Sequence, residues 1–152
     1  MQHTILQRLL RPVIYTLVSI VFIFIILIGF RVLPCVPTRI MTIEQRSFAV
    51  CVSDTQASQM QGLSHTRNLP DWMAMLFVFD TPASYPFWMP DMNYDIDILW
   101  LNDDFSVANI YRSASPRDYP AHYIPDVPVR YVIETAPDVV RGSFPQVQLG
   151  EN

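Results

Sequence analysis

The chain lacks lysine entirely and has only four glycines and two cysteines among its 152 residues. Residues 41–152 contain all 14 acidic side chains against six arginines, which gives this part a formal charge of minus eight. Nucleic-acid binding needs clustered basic side chains for phosphate contacts. The composition therefore excludes a nucleic-acid-binding function.

Thirteen prolines with so few glycines leave little room for long helices. Short alternating or continuous apolar runs, separated by turns, predict strands instead. These strands are expected at 47–54, 73–79, 94–101, 107–112 and 130–135, with a weak pair in 139–149 and one helical turn in 55–70 ended by Gly62. Together they predict an all-β fold, an antiparallel β-sandwich or barrel with at most one short helix.

A charge-free run of 19 residues lies between Arg11 and Arg31. A helix of this length covers about 28 Å, close to the thickness of a bilayer core. The run is longer than the apolar core of a cleaved signal peptide, which has about 7–15 residues, and no small-x-small cleavage site follows it. We therefore predict a basic cytoplasmic tail (1–11), a transmembrane helix (12–33), a proline-containing linker (34–44) and a β-rich domain (45–150) outside the cytoplasm.

The segment "GLSHTRNLPDWMAMLFVFDTPASYPFWMPDMNYDIDILWL", followed by "RYVIET", resembles the domain of unknown function 192 family. The residues that fall on the pattern of that family are Gly62, Leu63, Arg67, Leu69, Pro70, Met75, Leu76, Phe77, Phe79, Phe87, Trp88, Met89, Asp97 and Glu134. The resemblance implies a jelly-roll-like β-sandwich in a small, often exported or membrane-anchored protein, and no established activity. The chain departs from the pattern at Ser64, Ala74 and Pro90.

Asp97 lies in the middle of a predicted strand, on the same face as Leu99 and Leu101. A buried carboxylate needs a charged or backbone donor, and we expect Arg67 to supply it in bidentate fashion. This pair either pins a loop or belongs to a ligand site. With the aromatic stretch at 85–88, it predicts a groove that binds a small ligand or a partner protein through Arg67, Trp88, Met89 and Asp97.

Catalytic patterns are sparse, and no catalytic residue, metal or cofactor is assigned. One alternative is a hydrolase acting on sugars, with Asp97 and Glu134 as paired carboxylates. A nucleophilic pair of Cys51 with His65 or His122 is a weaker possibility, because the strand alternation predicts Cys51 on the outer face. A third alternative is a Cu(I)-binding domain, since Met89 and Met92 flank a turn and thioethers suit Cu(I). Core filling explains these methionines equally well.

The two cysteines can also pair with each other, but the sequence does not fix their distance. In an oxidising compartment a bond between Cys35 and Cys51 would close a loop of about 15 residues. The sequence leaves this disulfide open.

Overall fold

The computed structural model describes residues 11–24, 33–143 and 145–150. The chain divides into two compact units, Met1–Leu33 and Pro34–Asn152. In the first unit residues 11–24 are helical (α1). No helix in the described ranges is both long and apolar enough to cross a membrane. The predicted span at 12–33 includes residues 25–32, and the predicted tail includes residues 1–10; both stretches lie outside the described residues.

The second unit is mostly β-structure and contains a single α-helix among its described residues. Its elements are β1 (Arg39–Ile43), β2 (Arg46–Ser53), α2 (Gln56–Gln61), β3 (Met73–Ala83), β4 (Ile96–Leu101), β5 (Val107–Ala114), a 3-10 turn (Pro116–Asp118), β6 (Val129–Thr135) and β7 (Val147–Leu149). The five main predicted strands and the short helix are confirmed, with shifts at their ends of up to four residues, but the described part of 139–149 contains one strand, β7, instead of the predicted pair. β1 was missed, because its residues were assigned to the linker at 34–44.

The strands form one curled seven-stranded sheet in the order β5-β4-β6-β3-β2-β1-β7. Neighbouring strands are antiparallel except for β2 and β3, which are parallel. The predicted antiparallel β-sandwich or barrel is therefore confirmed only in its mostly β character, because the strands form one curled sheet with a parallel pair. A parallel pair needs a crossover connection, and the segment that contains α2 provides it.

Local signals set the bounds of α2. Thr55 and Ser58 form a capping box that satisfies free backbone donors at its start. Gly62 ends the helix with φ +49°, in the left-handed region that glycine enters without strain. A side chain at Gly62 would also meet the ring of Phe77 at 3.4 Å. The helix end therefore lies directly over β3.

Successive side chains of a strand point to opposite faces of the sheet, and both faces are buried here. The core face carries the main apolar cluster, which includes Phe48, Val50, Leu76, Leu99, Leu101 and Ile133. Residues of β3, β4 and β6 that pair with one another form the second face. They are Met75, Phe77, Ile98, Trp100, Val132 and Glu134. All six residues of β4 are buried, as expected for a strand that is covered on both faces.

Cys51 corrects one expectation about β2. Phe48 and Val50 point into the core as predicted, but Cys51 is buried as well, with 3% of its surface exposed. The reason is that the second face of the sheet is covered too, and that Cys51 forms a disulfide with Cys35. Their Cα atoms lie 6.1 Å apart, an ordinary separation for a disulfide. Cys51 is therefore not a free thiol, and the hypothesis of a cysteine nucleophile was wrong.

Candidate functional site

An apolar pocket of about 360 Å³ opens over the second face of the sheet. Its walls come from α2 and the turn after it, from β3, and from the loop between β3 and β4. The residues that line it are Gln56, Gln59, Met60, Gln61, Gly62, Leu63, Ser64, Phe77, Phe79, Tyr85, Pro86, Phe87, Trp88, Met89, Pro90, Met92, Ile96 and Glu134. We refer to it below as the apolar pocket.

Glu134 is the only acidic or basic side chain among these lining residues. It belongs to β6 and pairs with Ile98 on one side and Met75 on the other, so apolar strands flank it. Only 6% of its surface is exposed, and its Oε2 atom has no hydrogen-bond partner in the described part of the chain. Burial raises the pKa of Glu134 from 4.5 to about 8. The acid is therefore mostly protonated at pH 7.

Aromatic rings line much of the apolar pocket. Phe79 and Tyr85 stack with their ring centres 3.6 Å apart, and Phe87 meets the edge of Phe77 at 4.9 Å. Trp88 packs against His122 with centroids at 5.1 Å, yet remains 45% exposed. Such rings offer apolar area and a negative face to a ligand.

Hydrogen bonds hold the loops around the pocket in place. Ser64 Oγ donates to the carbonyl of Pro90 at 2.8 Å, and Gln59 Nε2 donates to the carbonyl of Val78 at 2.7 Å. The pKa of Tyr94 is raised, first by burial and also by the charge of Glu134, while its hydrogen bond to Thr66 acts in the opposite direction. Polar groups around the pocket are thus largely satisfied, in contrast to Glu134.

The predicted groove is only half present. Trp88 and Met89 line the apolar pocket, but Arg67 and Asp97 do not. Arg67 is exposed and makes no ion pair in the described ranges. The structure thus brings together two of the four predicted site residues.

Asp97 is buried and paired, as predicted, but its partner is not Arg67. Arg112 Nη1 donates to Asp97 Oδ2 at 3.1 Å, and the backbone N–H groups of Ser113 and Asp138 donate at 2.8 and 3.3 Å. Arg112 also donates to the carbonyls of Val140 and Gly142. Asp97 is fully buried. It therefore anchors β5 and the segment 138–142 to β4, which is a structural role.

Asp97 and Glu134 face opposite sides of the sheet. Asp97 pairs with Thr135, whereas Glu134 pairs with Ile98 on the neighbouring strand. Adjacent residues of a strand alternate between faces, and Asp97 is sealed from solvent. The hypothesis of a glycosidase with these paired carboxylates was wrong, since no shared cleft contains both groups.

The methionine-rich segment contributes to the same pocket. Met60, Met89 and Met92 all line it, and Met89 is buried whereas Met60 is 77% exposed. The Cu(I) hypothesis for Met89 and Met92 stays a prediction. No group of three or more histidine, cysteine, aspartate or glutamate side chains is placed to hold a metal among the residues that the structure describes.

The match to known families covers most of this second unit. Residues 39–146 match the model of domain of unknown function 192, described as an uncharacterized ACR. The chain belongs to this family. The resemblance carried by "GLSHTRNLP" and "PFWMP" is thereby confirmed.

Solved structures share the fold of this domain of unknown function 192 member. A proposed transcription regulator from Sinorhizobium meliloti 1021 matches with a TM-score of 0.68 and 19% identity, over 76% of this chain and 96% of that one. A protein of unknown function from Novosphingobium aromaticivorans DSM 12444 matches with a TM-score of 0.66 and 24% identity, over 72% and 83% of the two chains. No curated protein matches this chain significantly.

From the sequence, Glu134 was predicted only as a second carboxylate beside Asp97. A clue was present, because the "RYVIET" strand places a glutamate among apolar residues in a chain with only three glutamates. The pocket itself could not be read from the sequence, since it needs α2 and the β3–β4 loop to meet over β6.

Proposed function

We propose that this domain binds a small, largely apolar molecule in the apolar pocket, above the carboxyl group of Glu134. One observation carries the proposal: an open pocket is lined by the buried carboxyl group of Glu134, and one oxygen of that group, Oε2, has no hydrogen-bond partner among the described residues. A buried polar atom left unsatisfied costs about 1–3 kcal/mol. A ligand that satisfies this oxygen recovers that energy on binding.

The size and construction of the apolar pocket support the proposal. Its volume of about 360 Å³ falls within the range of roughly 300–1,000 Å³ for small-molecule sites. Its floor consists of sheet residues, Phe77, Ile96 and Glu134, which hold their positions more firmly than loop residues. Trp88 and Met89 belong to this proposed site.

We also propose that residues 12–33 anchor the chain in a membrane and that the domain lies outside the cytoplasm. The uncharged run of 19 residues supports the anchor. The bond between Cys35 and Cys51 supports the location, because disulfides persist in oxidising compartments. An impermeant thiol reagent should label these cysteines on intact cells only after reduction. Labelling that requires lysis of the cells would contradict this location.

The binding function can be tested by thermal shift with a library of small molecules on the full chain. The blocked variant is Met92→Trp, which fills the pocket from a partly exposed wall position. The matched control is Ile40→Trp, at an exposed position that does not line the pocket. Binders should raise the melting temperature of the parent and the control, but not of the blocked variant, because only binding to the folded state stabilises. Compounds that stabilise all three proteins equally, or none, would contradict the proposal.

A further inference from the structure

The apolar pocket offers charge of one sign only. Among the lining residues that the structure describes, Glu134 is the sole acidic or basic one, and none is an arginine or a histidine. The surrounding residues 41–152 carry a formal charge of minus eight. An anionic ligand would therefore meet repulsion from the domain and no counter-charge in the site.

The lining combines this acid with five aromatic side chains. They are Phe77, Phe79, Tyr85, Phe87 and Trp88. The faces of aromatic rings attract cations, and aromatic cages recognise quaternary ammonium groups in this way. A pocket with several rings and one acid has the chemistry to hold an organic cation.

We propose that the ligand is an organic monocation with an apolar body, whose ammonium head lies against the carboxyl group of Glu134. This inference rests on the proposed function and names the class of ligand. The apolar body would contact the aromatic wall. The positive head would pair with the carboxylate of Glu134 as a whole, whose Oε2 atom no group of the described protein satisfies.

The ionisation of Glu134 sets the pH dependence of this binding. Burial keeps its pKa near 8 in the empty site, so a cation must bind the minor, ionised form at pH 7. Two tyrosines of the described chain lie near this site: Tyr94 interacts electrostatically with Glu134, and Tyr85 lines the same pocket. Asp97 of β4 faces the opposite side of the sheet, where it pairs with Arg112 of β5. The residues of α2 and the residue of β3 that pairs with Glu134 have no titratable side chain. His122 lies beyond Trp88, outside the lining.

Four probes share a phenyl ring and a compact tetrahedral head but differ in charge. They are phenyltrimethylammonium (positive), tert-butylbenzene (neutral and apolar), methyl phenyl sulfone (neutral with acceptor oxygens) and benzenesulfonate (negative). Each is titrated into the full chain and into its Glu134→Gln variant between pH 6 and pH 9. The quaternary ammonium does not titrate, so any pH dependence reports on the protein.

Phenyltrimethylammonium should bind at pH 9 at least about tenfold more tightly than tert-butylbenzene. Its affinity should fall by up to about tenfold per pH unit below pH 8, because only the ionised fraction is competent to bind. The Glu134→Gln variant should lose both the advantage of the cation over tert-butylbenzene and the pH dependence of cation binding. Met92→Trp should weaken all probes that bind.

Two results would overturn the cation and leave the binding function standing. The first is tighter binding of methyl phenyl sulfone, with an affinity that falls as pH rises through 8, because Glu134 would then act as a neutral donor. The second is equal, pH-independent binding of all the neutral and cationic probes. If no probe binds and no library compound distinguishes the parent from Met92→Trp, the proposed function itself fails.

Discussion

Replacing Asp97 with asparagine should lower the free energy of unfolding by about 3 kcal/mol. The carboxylate is fully buried and accepts hydrogen bonds from Arg112, Ser113 and Asp138. Hydrogen bonds to charged groups contribute about 1.5–3 kcal/mol each. Asparagine keeps one acceptor oxygen, but its amide group would face a donor. The substitution therefore removes one or two of the hydrogen bonds that the carboxylate accepts, and it leaves Arg112 without its counter-charge.

Urea melts measure this loss directly. At a slope of about 1.5 kcal/mol/M, the midpoint should fall by about 2 M with the slope unchanged. Combined with Arg112→Met, Asp97→Asn should show a coupling energy of about 1–3 kcal/mol, because the two side chains touch. The matched control is Arg67→Leu, at an exposed position. It should change stability by less than about 0.5 kcal/mol and should be additive with Asp97→Asn.

Two outcomes would refute this reasoning. A loss below about 0.5 kcal/mol for Asp97→Asn would mean that the buried carboxylate is not an anchor. A strong coupling with Arg67 and none with Arg112 would mean that the packing of β5 against β4 is wrong.

Further predictions concern four other features. Burial raises the pKa of Glu134 in the folded state from 4.5 to about 8. Between these pH values the folded state retains a proton that the unfolded state loses. The free energy of unfolding should therefore fall by on the order of 5 kcal/mol as the pH rises from 4.5 to 8. Urea melts against pH should show this fall in the parent and not in Glu134→Gln, and an equal fall in both would contradict the assignment. Cys35→Ser should cost about 3 kcal/mol, and reductant should destabilise the parent but not the variant. Gly62→Ala should cost about 1 kcal/mol in the same melts because of its positive φ; an unchanged midpoint would contradict this. If Met89 and Met92 bind Cu(I), copper should co-purify under reducing conditions and be lost on substitution of both by leucine; no copper on the parent would end that hypothesis.

Much of the strand pattern was predictable because it depends on local alternation. The strands at 73–79 and 130–135 are flanked by prolines or turns and rich in β-branched or aromatic residues. β1 was not predictable in this way, since the prolines before Arg39 favour an extended linker. Its strand character comes from pairing with β2 across the two-residue turn at Glu44 and Gln45.

The partner of Asp97 could not be read from the sequence because it depends on β-bulges. A regular hairpin that pairs Leu101 with Val107 would place Tyr111 opposite Asp97. The observed pairing shifts register twice, at Trp100/Leu101 and at Ile96/Ile98. These shifts bring Arg112 and the backbone of Ser113, whose φ is +53°, to the carboxylate instead. Bulges commonly re-aim side chains in this way.

The candidate site was predictable only where it follows from one segment. Trp88 and Met89 lie in or next to the aromatic stretch at 85–88, from which a ligand groove was predicted. Both residues line the apolar pocket. Glu134 reaches the same pocket from a strand more than forty positions later, through pairing with β3 and β4. Long-range pairing of this kind has no local sequence signal, so the importance of this acid was missed.

The titration of the Glu134 carboxyl carbon tests the central claim most directly. The chain has only three glutamates, so selective ¹³C labelling of glutamate gives three carboxyl signals that Glu134→Gln assigns. We expect a midpoint near 8 for Glu134 in the empty protein, and a lower midpoint when phenyltrimethylammonium is added, because the cation favours the ionised form. A midpoint near 4.5 in the empty protein would show a solvated or paired carboxylate, and would contradict the assignment of Glu134 as the unpartnered acid of a ligand pocket.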